Sequence, residues 1–554
     1  MSEAAPARNE VGAARAAGPG YPAFAQVREM VRSMVSEGRA DDALEFSLSA
    51  LAAVLKRSRE LELLVAKLRR LGAGKASERL DPGQLALLFE ELIDQLGPDA
   101  EALDPEAEAR ADAELEQEIK QAEQARGERA KRPRQSWRTR PDVEREVHHV
   151  EVAAEARTCE RCGRQKSRLG EDVSPVLEYV PGHFRAHEYH LEKWACGTCK
   201  RGVTTASGPD KLIERSAADA SLLAHVVVSK YVDHTPLHRL HRIYERGGAT
   251  IPVSTLADWV GDVAGALEPL VARLAERVVK DAHVVRADAT GLKVLDPSHP
   301  ENVQRGTMWC TVGDDKDVVF HYTPTGEGAT GPWTFLAGRK GYLQADAASV
   351  FDRLYNGAAA SAIEVGCWAH GRRRLVALQD TDCRVAYPLK LITRLYRIER
   401  LADVKQLSAE QRMKLRNERS TRVLDTLKRW LVHTAADEPP SSDLAQAAGY
   451  LLRQWAALTR FLDDGRLSLD NNLCERQIRD VALGRKNFLF SGSHAAAHRS
   501  AALYSLMRTA SLHGLAPLPY LTDVLRRLAA GHDPQRLDEL LPDRWQPPPV
   551  PTAN

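Results

Sequence analysis

The sequence predicts a multidomain α+β protein built on a mixed β-sheet that a helical block interrupts. Three observations carry this. The chain has 554 residues, enough for three or four folded units at roughly 150 residues each. Between residues 281 and 375, strand-like runs come first in succession and then in alternation with helical runs, the pattern of a mixed sheet. Residues 376–465 are helical by pattern and read as an insertion, after which the segment Ser468–Arg479 opens a fresh helix with Asp470 as its expected N-cap.

Composition bounds the function. Hydrophobic residues make up 43% and charged residues 28%, ample for buried cores. Lys+Arg number 77 against 76 Asp+Glu, a net charge of +1, so any nucleic-acid surface must be local. No apolar run reaches the ~18 residues of a membrane span, and the first residues lack a secretory hydrophobic core. A cytoplasmic protein is expected. Eight cysteines are too few for a disulfide scaffold, and four of them fall in two C-x-x-C pairs.

In chain order, residues 1–23 read as a disordered tail and 24–97 as a helical arm. Leu61, Leu64, Leu68 and Leu71 repeat at 3–4–3 spacing, which fits either a coiled-coil arm for self-association or a helix packed on its own domain. Residues 98–145 join an acidic block, Glu101–Glu123, to a basic block, Arg126–Arg140, and read as a charged, solvated linker. The basic half, with Trp137 inside it, could alternatively contact phosphates. Residues 146–212 carry Cys159, Cys162, Cys196 and Cys199, and two strand-like stretches in the gap between the pairs. Four thiolates on two tight knuckles fit a closed, structural tetrahedral Zn²⁺ site. His183, His187 and His190, in the same gap, read as strand residues rather than ligands.

Residues 213–280 read as helix, Gly247-Gly248 turn and helix, with Ser254 as the expected N-cap of the second helix. That fits a helix-turn-helix-like DNA-binding region or a structural hairpin. Residues 281–375 would form the first part of the core and 466–490 its last part. A helical region, 491–540, and a tail, 541–554, would follow.

Three carboxylates stand out by context. Asp288 lies within a strand beside an apolar run, where charge is costly unless paired or metal-bound. Asp346 ends a second short strand, and Glu475 shares a helix face with Asn471 and Arg479. Hard oxygens converging from strands and a helix are what paired Mg²⁺ ions need to flank a scissile phosphate. By spacing alone the alternatives stay open: Glu475–Arg479 as an exposed ion pair, Asp346 as a turn residue.

The chain also resembles the transposases of the insertion-sequence-66 family. The matching stretches are LELLVAKLRRL with QLALLFEEL, the two C-x-x-C knuckles, LLAHVVVSKYVDHTPLHRL with IPVSTLADWVG, GYLQADA, GCWAHGRRRL, and SLDNNLCERQIRDVALGRKNFLFSGS. The resemblance implies an RNase H-like catalytic core with a DDE triad, a zinc-binding domain ahead of it, and a helical insertion between the second Asp and the Glu. Carried over by position, Asp288 is the first Asp, Asp346 the second and Glu475 the Glu. The family usually has an acid directly after its first Asp, where this chain has Ala289, so Asp296 stands as the alternative first metal ligand. Ala496-Ala497-His498-Arg499 replaces the family's frequent Gly-Gly-Glu-Arg.

The activity implied is nicking of the element's ends and joining of the 3′ ends to target DNA, with two Mg²⁺ (or Mn²⁺) ions per active site and a structural Zn²⁺. Arg476, Arg479, Arg485 and Lys486 are candidate phosphate contacts, or a solvated basic face. His370, in CWAHGRRR, could sit beside the metal pocket, but reads rather as a supporting or structural residue and is not placed among the catalytic ones. Implied partners are double-stranded DNA (element ends and target), a second copy of the chain, and small accessory proteins of the same element, with no membrane. The rival readings are a metal-dependent nuclease or resolvase on the same core, and an inactive DNA-binding repressor.

Overall fold

The computed structural model describes residues 31–37, 39, 43–44, 105–129, 146–149, 157, 161–166, 182–195, 203–356 and 360–548. The leucine seam of the arm, Trp137, and Cys159, Cys196 and Cys199 lie outside the described residues. Among the described residues no helix is long and apolar enough to cross a membrane.

A five-stranded mixed sheet organises the core. Its strands are β3 (Val284–Leu295), β4 (Val303–Gly313), β5 (Asp317–Thr323), β6 (Gly341–Gln344) and β7 (Ala362–Val365), in the order β5-β4-β3-β6-β7. Strands β3, β4 and β5 form an antiparallel meander, while β6 and β7 run parallel to β3. The β4–β5 turn forms where Gly-Asp-Asp-Lys-Asp predicts it. Asp314 and Asp315 both take positive φ, 44° and 62°, as the central residues of a tight turn that the Lys316 N–H closes by donating to the Gly313 carbonyl at 3.0 Å. The Asp314 carboxylate then accepts from the backbone N–H groups of His283 and Val284, at 3.0 and 2.9 Å, and so fixes the start of β3.

A smaller hairpin, β1 (Lys193–Ala195) with β2 (Val203–Thr205), lies in the cysteine-bearing region. The sequence places both strands within the gap between the C-x-x-C pairs. Here the pairing partner of β1 lies beyond the second pair, and His183, His187 and His190 are exposed outside any strand.

Helices cover the sheet. Ahead of it come α2 (Ala220–Tyr231), α3 (Leu237–Arg246) and α4 (Val253–Lys280); after it come α10 (Asn472–Phe488), α11 (His494–Leu512) and α12 (Pro517–Ala529). The helix-turn-helix-like pattern of α3 and α4 is present, but α4 buries Leu256, Val263, Leu267, Leu270 and Leu274 in the same cluster as the sheet. Its apolar stripe is wider than a free recognition helix needs, because it packs against the core. Ser254 is not its cap: the N-cap is Pro252, with no side-chain bond.

Helix α5 (Trp368–Val376) leads from β7 into the stretch read as an insertion, which holds α6 (Ala386–Val404), α7 (Ala409–Leu415), a π-helical turn (Arg416–Ser420), α8 (Thr421–Asp437) and α9 (Asp443–Arg453). The fully buried Arg416 joins it to the core. Its guanidinium binds Glu399 (2.6 and 2.8 Å) and the carbonyls of Phe461, Asp464 and Leu467, just upstream of α10.

One expectation changes outright. Within the stretch read as a solvated linker, Pro105–Arg129 forms a helix, α1. The acids find partners that local sequence does not contain: Asp112 pairs with Arg394 at 2.6 Å and Glu123 with Arg400 at 2.6 Å, while Leu115 and Ile119 are buried.

Candidate active site

Asp288 is the fifth residue of β3, so strand alternation sets it on one face with Arg286 and Thr290. Parallel pairing aligns Arg286 with Gln344, the last residue of β6. Asp288 lies two residues further along β3, and Asp346 lies two residues past the end of β6, so the pairing leads both acids out at the same end of the sheet. Glu475 sits in the first turn of α10.

Electrostatics ties the three together. The Asp288 carboxyl is pushed up to about 6, first by burial and then by the negative charges of Asp346 and Glu475. The N–H of Ala289, donating to Asp288 Oδ1 at 2.7 Å, and the Arg373 guanidinium act against that rise. Arg373 Nη2 stands 3.6 Å from Glu475 Oε1, and His370 Nε2 stands 3.9 Å from the same oxygen. His370 Nδ1 is buried without a hydrogen-bond partner. Sequence reasoning passes over Arg373 and takes His370 as a supporting or structural residue beside the pocket at most. The available signal is their i, i+3 spacing on one face of α5, directly after the β7 turn. Within ion-pair distance Glu475 faces this pair, not Arg479.

Beneath the acids lies a hydrogen-bonded platform. Gln344 accepts from Arg286 Nε at 3.1 Å and donates to the carbonyls of Gly366 (3.0 Å) and Ser468 (2.9 Å). One amide thereby links β3, the end of β7 and the approach to α10. Asn471, buried and donating to the Ala287 carbonyl at 2.8 Å, fixes the start of α10 against β3. Asn471 is also the N-cap position. The expected cap, Asp470, stands one residue earlier and accepts from the Asn472 N–H at 3.1 Å.

The basic candidates divide. Arg476, Arg479 and Lys486 are exposed on α10. Arg485 turns inward and donates to Thr290 Oγ1 at 3.0 Å and to the Gly291 carbonyl, so it braces β3 beside Asp288. Arg476 also lines an open pocket with Arg286, Tyr396, Ser468 and Asn472.

Asp296 follows the last residue of β3, roughly 25 Å along the strand from Asp288 at 3.3 Å per residue. It accepts from Ser298 N and Oγ (2.9 and 2.6 Å) and lies 3.3 Å from His494 Nε2. Those hydrogen bonds hold its carboxyl below the usual range. The acids acting on Asp288 are Asp346 and Glu475.

Among the described residues no three His, Cys, Asp or Glu side chains enclose a single ion. Magnesium does not need such a cage, since it keeps several waters and is held by one or two carboxylates plus substrate phosphates. Of the four candidate zinc ligands only Cys162 is described, as an exposed free thiol.

Comparison with known proteins gives the family of the chain. The sequence profile described as "Transposase IS66 family" matches residues 215–499, the "IS66 C-terminal element" matches 505–542, and the "zinc-finger binding domain of transposase IS66" matches 156–200. Uncharacterized protein y4hP of Sinorhizobium fredii is 33% identical over 516 residues, 88% of each chain. Uncharacterized protein y4qI of the same organism is 30% identical over 547 residues, 94% of this chain and 97% of the relative. The chain belongs to the IS66 family of transposases.

Proposed function

We propose that this transposase nicks the ends of its insertion sequence and joins the freed 3′ ends to target DNA at one site made by Asp288, Asp346 and Glu475. The observation that carries the reading is the approach of acids from three distant segments, β3, the end of β6 and the first turn of α10, with Asp288 pushed up to about 6 first by its burial and then by the charges of Asp346 and Glu475. A buried carboxylate crowded by two others is a ready cation site. The all-oxygen donor set suits Mg²⁺ or Mn²⁺. Asp288 and Asp346 would hold the ions, and Glu475 would complete the second site. Bound there, the ions would activate the attacking oxygen and neutralise charge on the leaving one.

In the first step a water oxygen bonds to the phosphorus at the element end, and the bond to the 3′ oxygen breaks, leaving a 3′-hydroxyl. In the second, that hydroxyl bonds to a target phosphorus as another P–O bond breaks. Bond number is conserved, so no protein–DNA covalent link is required. Arg373 would offset the crowded negative charge, and His370 would hold Glu475 in place. Arg476, Arg479 and Lys486 would grip phosphates, while Arg485 would act through β3. The sheet order, with three antiparallel and two parallel strands, supports an RNase H-like core.

The rest of the reading concerns binding. Cys159, Cys162, Cys196 and Cys199 would close a tetrahedral zinc shell. Residues 213–280 would help bind double-stranded DNA, residues 24–97 would pair copies of the chain, and small accessory proteins of the element would assist in the cytoplasm.

The test is a cleavage and strand-transfer assay with the element's ends, Mg²⁺ or Mn²⁺, and wild type beside Asp346→Ala. Metal-dependent nicking and joining should occur in wild type and fall at least 10³-fold in the variant, of the order expected when one catalytic group is lost. Equal activity in both proteins would refute the assignment. Nicking without joining would instead favour the nuclease reading.

A further inference from the structure

The insertion carries a stripe of cations that the catalytic reading does not use. Lys390, Arg394, Arg397 and Arg400 recur on α6 at i, i+4, i+7 and i+10, spanning about 15 Å of helix, and Lys405 and Arg419 continue the patch. Such a one-sided stripe is the electrostatic footprint of a nucleic-acid binder. Here α1 covers it. Asp112 meets Arg394 (2.6 Å) and Lys390 (3.2 Å), and Glu116 reaches Arg397 (4.0 Å). Glu118 meets Arg419 (2.8 Å) and Lys405 (3.4 Å), and Glu123 meets Arg400 (2.6 Å).

Helix α1 also buries Leu115 and Ile119, and among its ion pairs those of Asp112 are the best shielded. Arg394 and Asp112 are 8% and 16% exposed, against 63% and 41% for Arg400 and Glu123. Exposed pairs contribute little in water and are screened by salt. The carboxylates of Asp112, Glu116, Glu118 and Glu123 stand where phosphates would stand. Duplex DNA, with one charge per ~1.7 Å, is the stronger competitor for such a face. Arg416 ties the insertion to the residues leading into α10, so DNA on this face would be continuous with the catalytic unit.

We propose that this face of the insertion is a contact surface for the backbone of duplex DNA, which α1 occupies as an acidic stand-in until DNA displaces it. The inference rests on the transposase reading only in naming DNA as the polyanion.

The experiment uses the full chain and a mixed-sequence duplex lacking the element's ends, with hydrogen exchange followed across residues 110–126. Adding DNA should speed exchange there. D112N/E116Q/E118Q/E123Q should bind the duplex more tightly than wild type. Its plot of log affinity against log salt should steepen by about 0.9 for each further phosphate that the uncovered face neutralises. Adding R397E/R400E/K405E/R419E should cancel the tighter binding. Unchanged or slower exchange in wild type on DNA addition would overturn the proposal. So would a neutralised variant that melts like wild type but binds no more tightly. The exchange result in wild type decides the matter even if the variant misfolds. Because the readout is binding of any duplex, loss of nicking activity would sink the proposed function and leave this inference standing.

Discussion

In the proposed site, Asp288 sets charge for metal binding against stability. Its folded carboxyl, at about 6, lies above the ~3.9 of an unfolded aspartate. The sign follows directly: the protonated form is favoured by folding, so this stability is fully present below pH ~4 and lost as pH rises through 6. Without divalent ions, Asp288→Asn should therefore melt like wild type near pH 4 and be more stable at pH 7.5. With screening of a partly exposed group allowed for, the difference should be about 1–2 kcal/mol. Adding Mg²⁺ at pH 7.5 should stabilise wild type and not the variant. Urea melts at the two pH values check this, and a variant less stable than wild type at pH 7.5 would contradict it. Local context singles out the three acids (a charged strand position, a strand end, a helix first turn), but spacing leaves each an alternative, and it is the family resemblance that selects them. Arg373 is not legible, because its approach to Glu475 depends on how α5 leaves β7, about 100 residues before α10.

At the scale of elements, the outer edge of the sheet is the instructive case. Strand β5 is an edge strand, whose open N–H and C=O groups need partners when buried. Helix α11 supplies them with side-chain hydroxyls. Thr509 Oγ1 accepts from Val318 N (2.9 Å) and donates to Val318 O (3.0 Å), and Ser505 Oγ accepts from Phe320 N (2.8 Å). Thr509→Val keeps the volume but strands both backbone groups of Val318, and should cost about 1–3 kcal/mol. Adding Ser505→Ala should increase the loss, in denaturant melts read by circular dichroism. A neutral double variant would mean that β5 finds other partners. In the sequence Ser505 and Thr509 are ordinary polar residues of an amphipathic helix, since their partners lie more than 180 residues upstream. The same distance hides α1. Its acidic composition reads as solvated until the cations of α6, some 280 residues on, are folded against it. The β4–β5 turn is the opposite case, legible because its whole cause lies in five consecutive residues.

Across the whole molecule, the pattern change near residue 281 marks a change of secondary structure and not the edge of a core. A single hydrophobic cluster runs from Ala218 through α2, α3 and α4, the sheet, and α10 to α12, as far as Leu541. Helix α4 alone contributes Leu256, Val260, Val263, Leu267, Leu270, Leu274 and Val278, each at most 6% exposed. At about 1.5–3 kcal/mol per fully buried aliphatic side chain, these represent on the order of 10–20 kcal/mol, an upper value for an extended unfolded chain. That is at least the size of the 5–15 kcal/mol net stability typical of a domain. Arg277 adds polar ties from the same helix, to Asp317 and Asp543, both at 2.8 Å. A fragment beginning at residue 281 would therefore leave a broad apolar face on β4, β5 and α11 with nothing over it. Residues 281–548 expressed alone should be insoluble or lack a cooperative melt, whereas residues 211–548 should unfold in one transition. Differential scanning calorimetry of both fragments tests this. A cooperative transition in the shorter fragment would show that the sheet and its C-terminal helices form a core without α4, and that the helix-turn-helix-like region is a separate module after all.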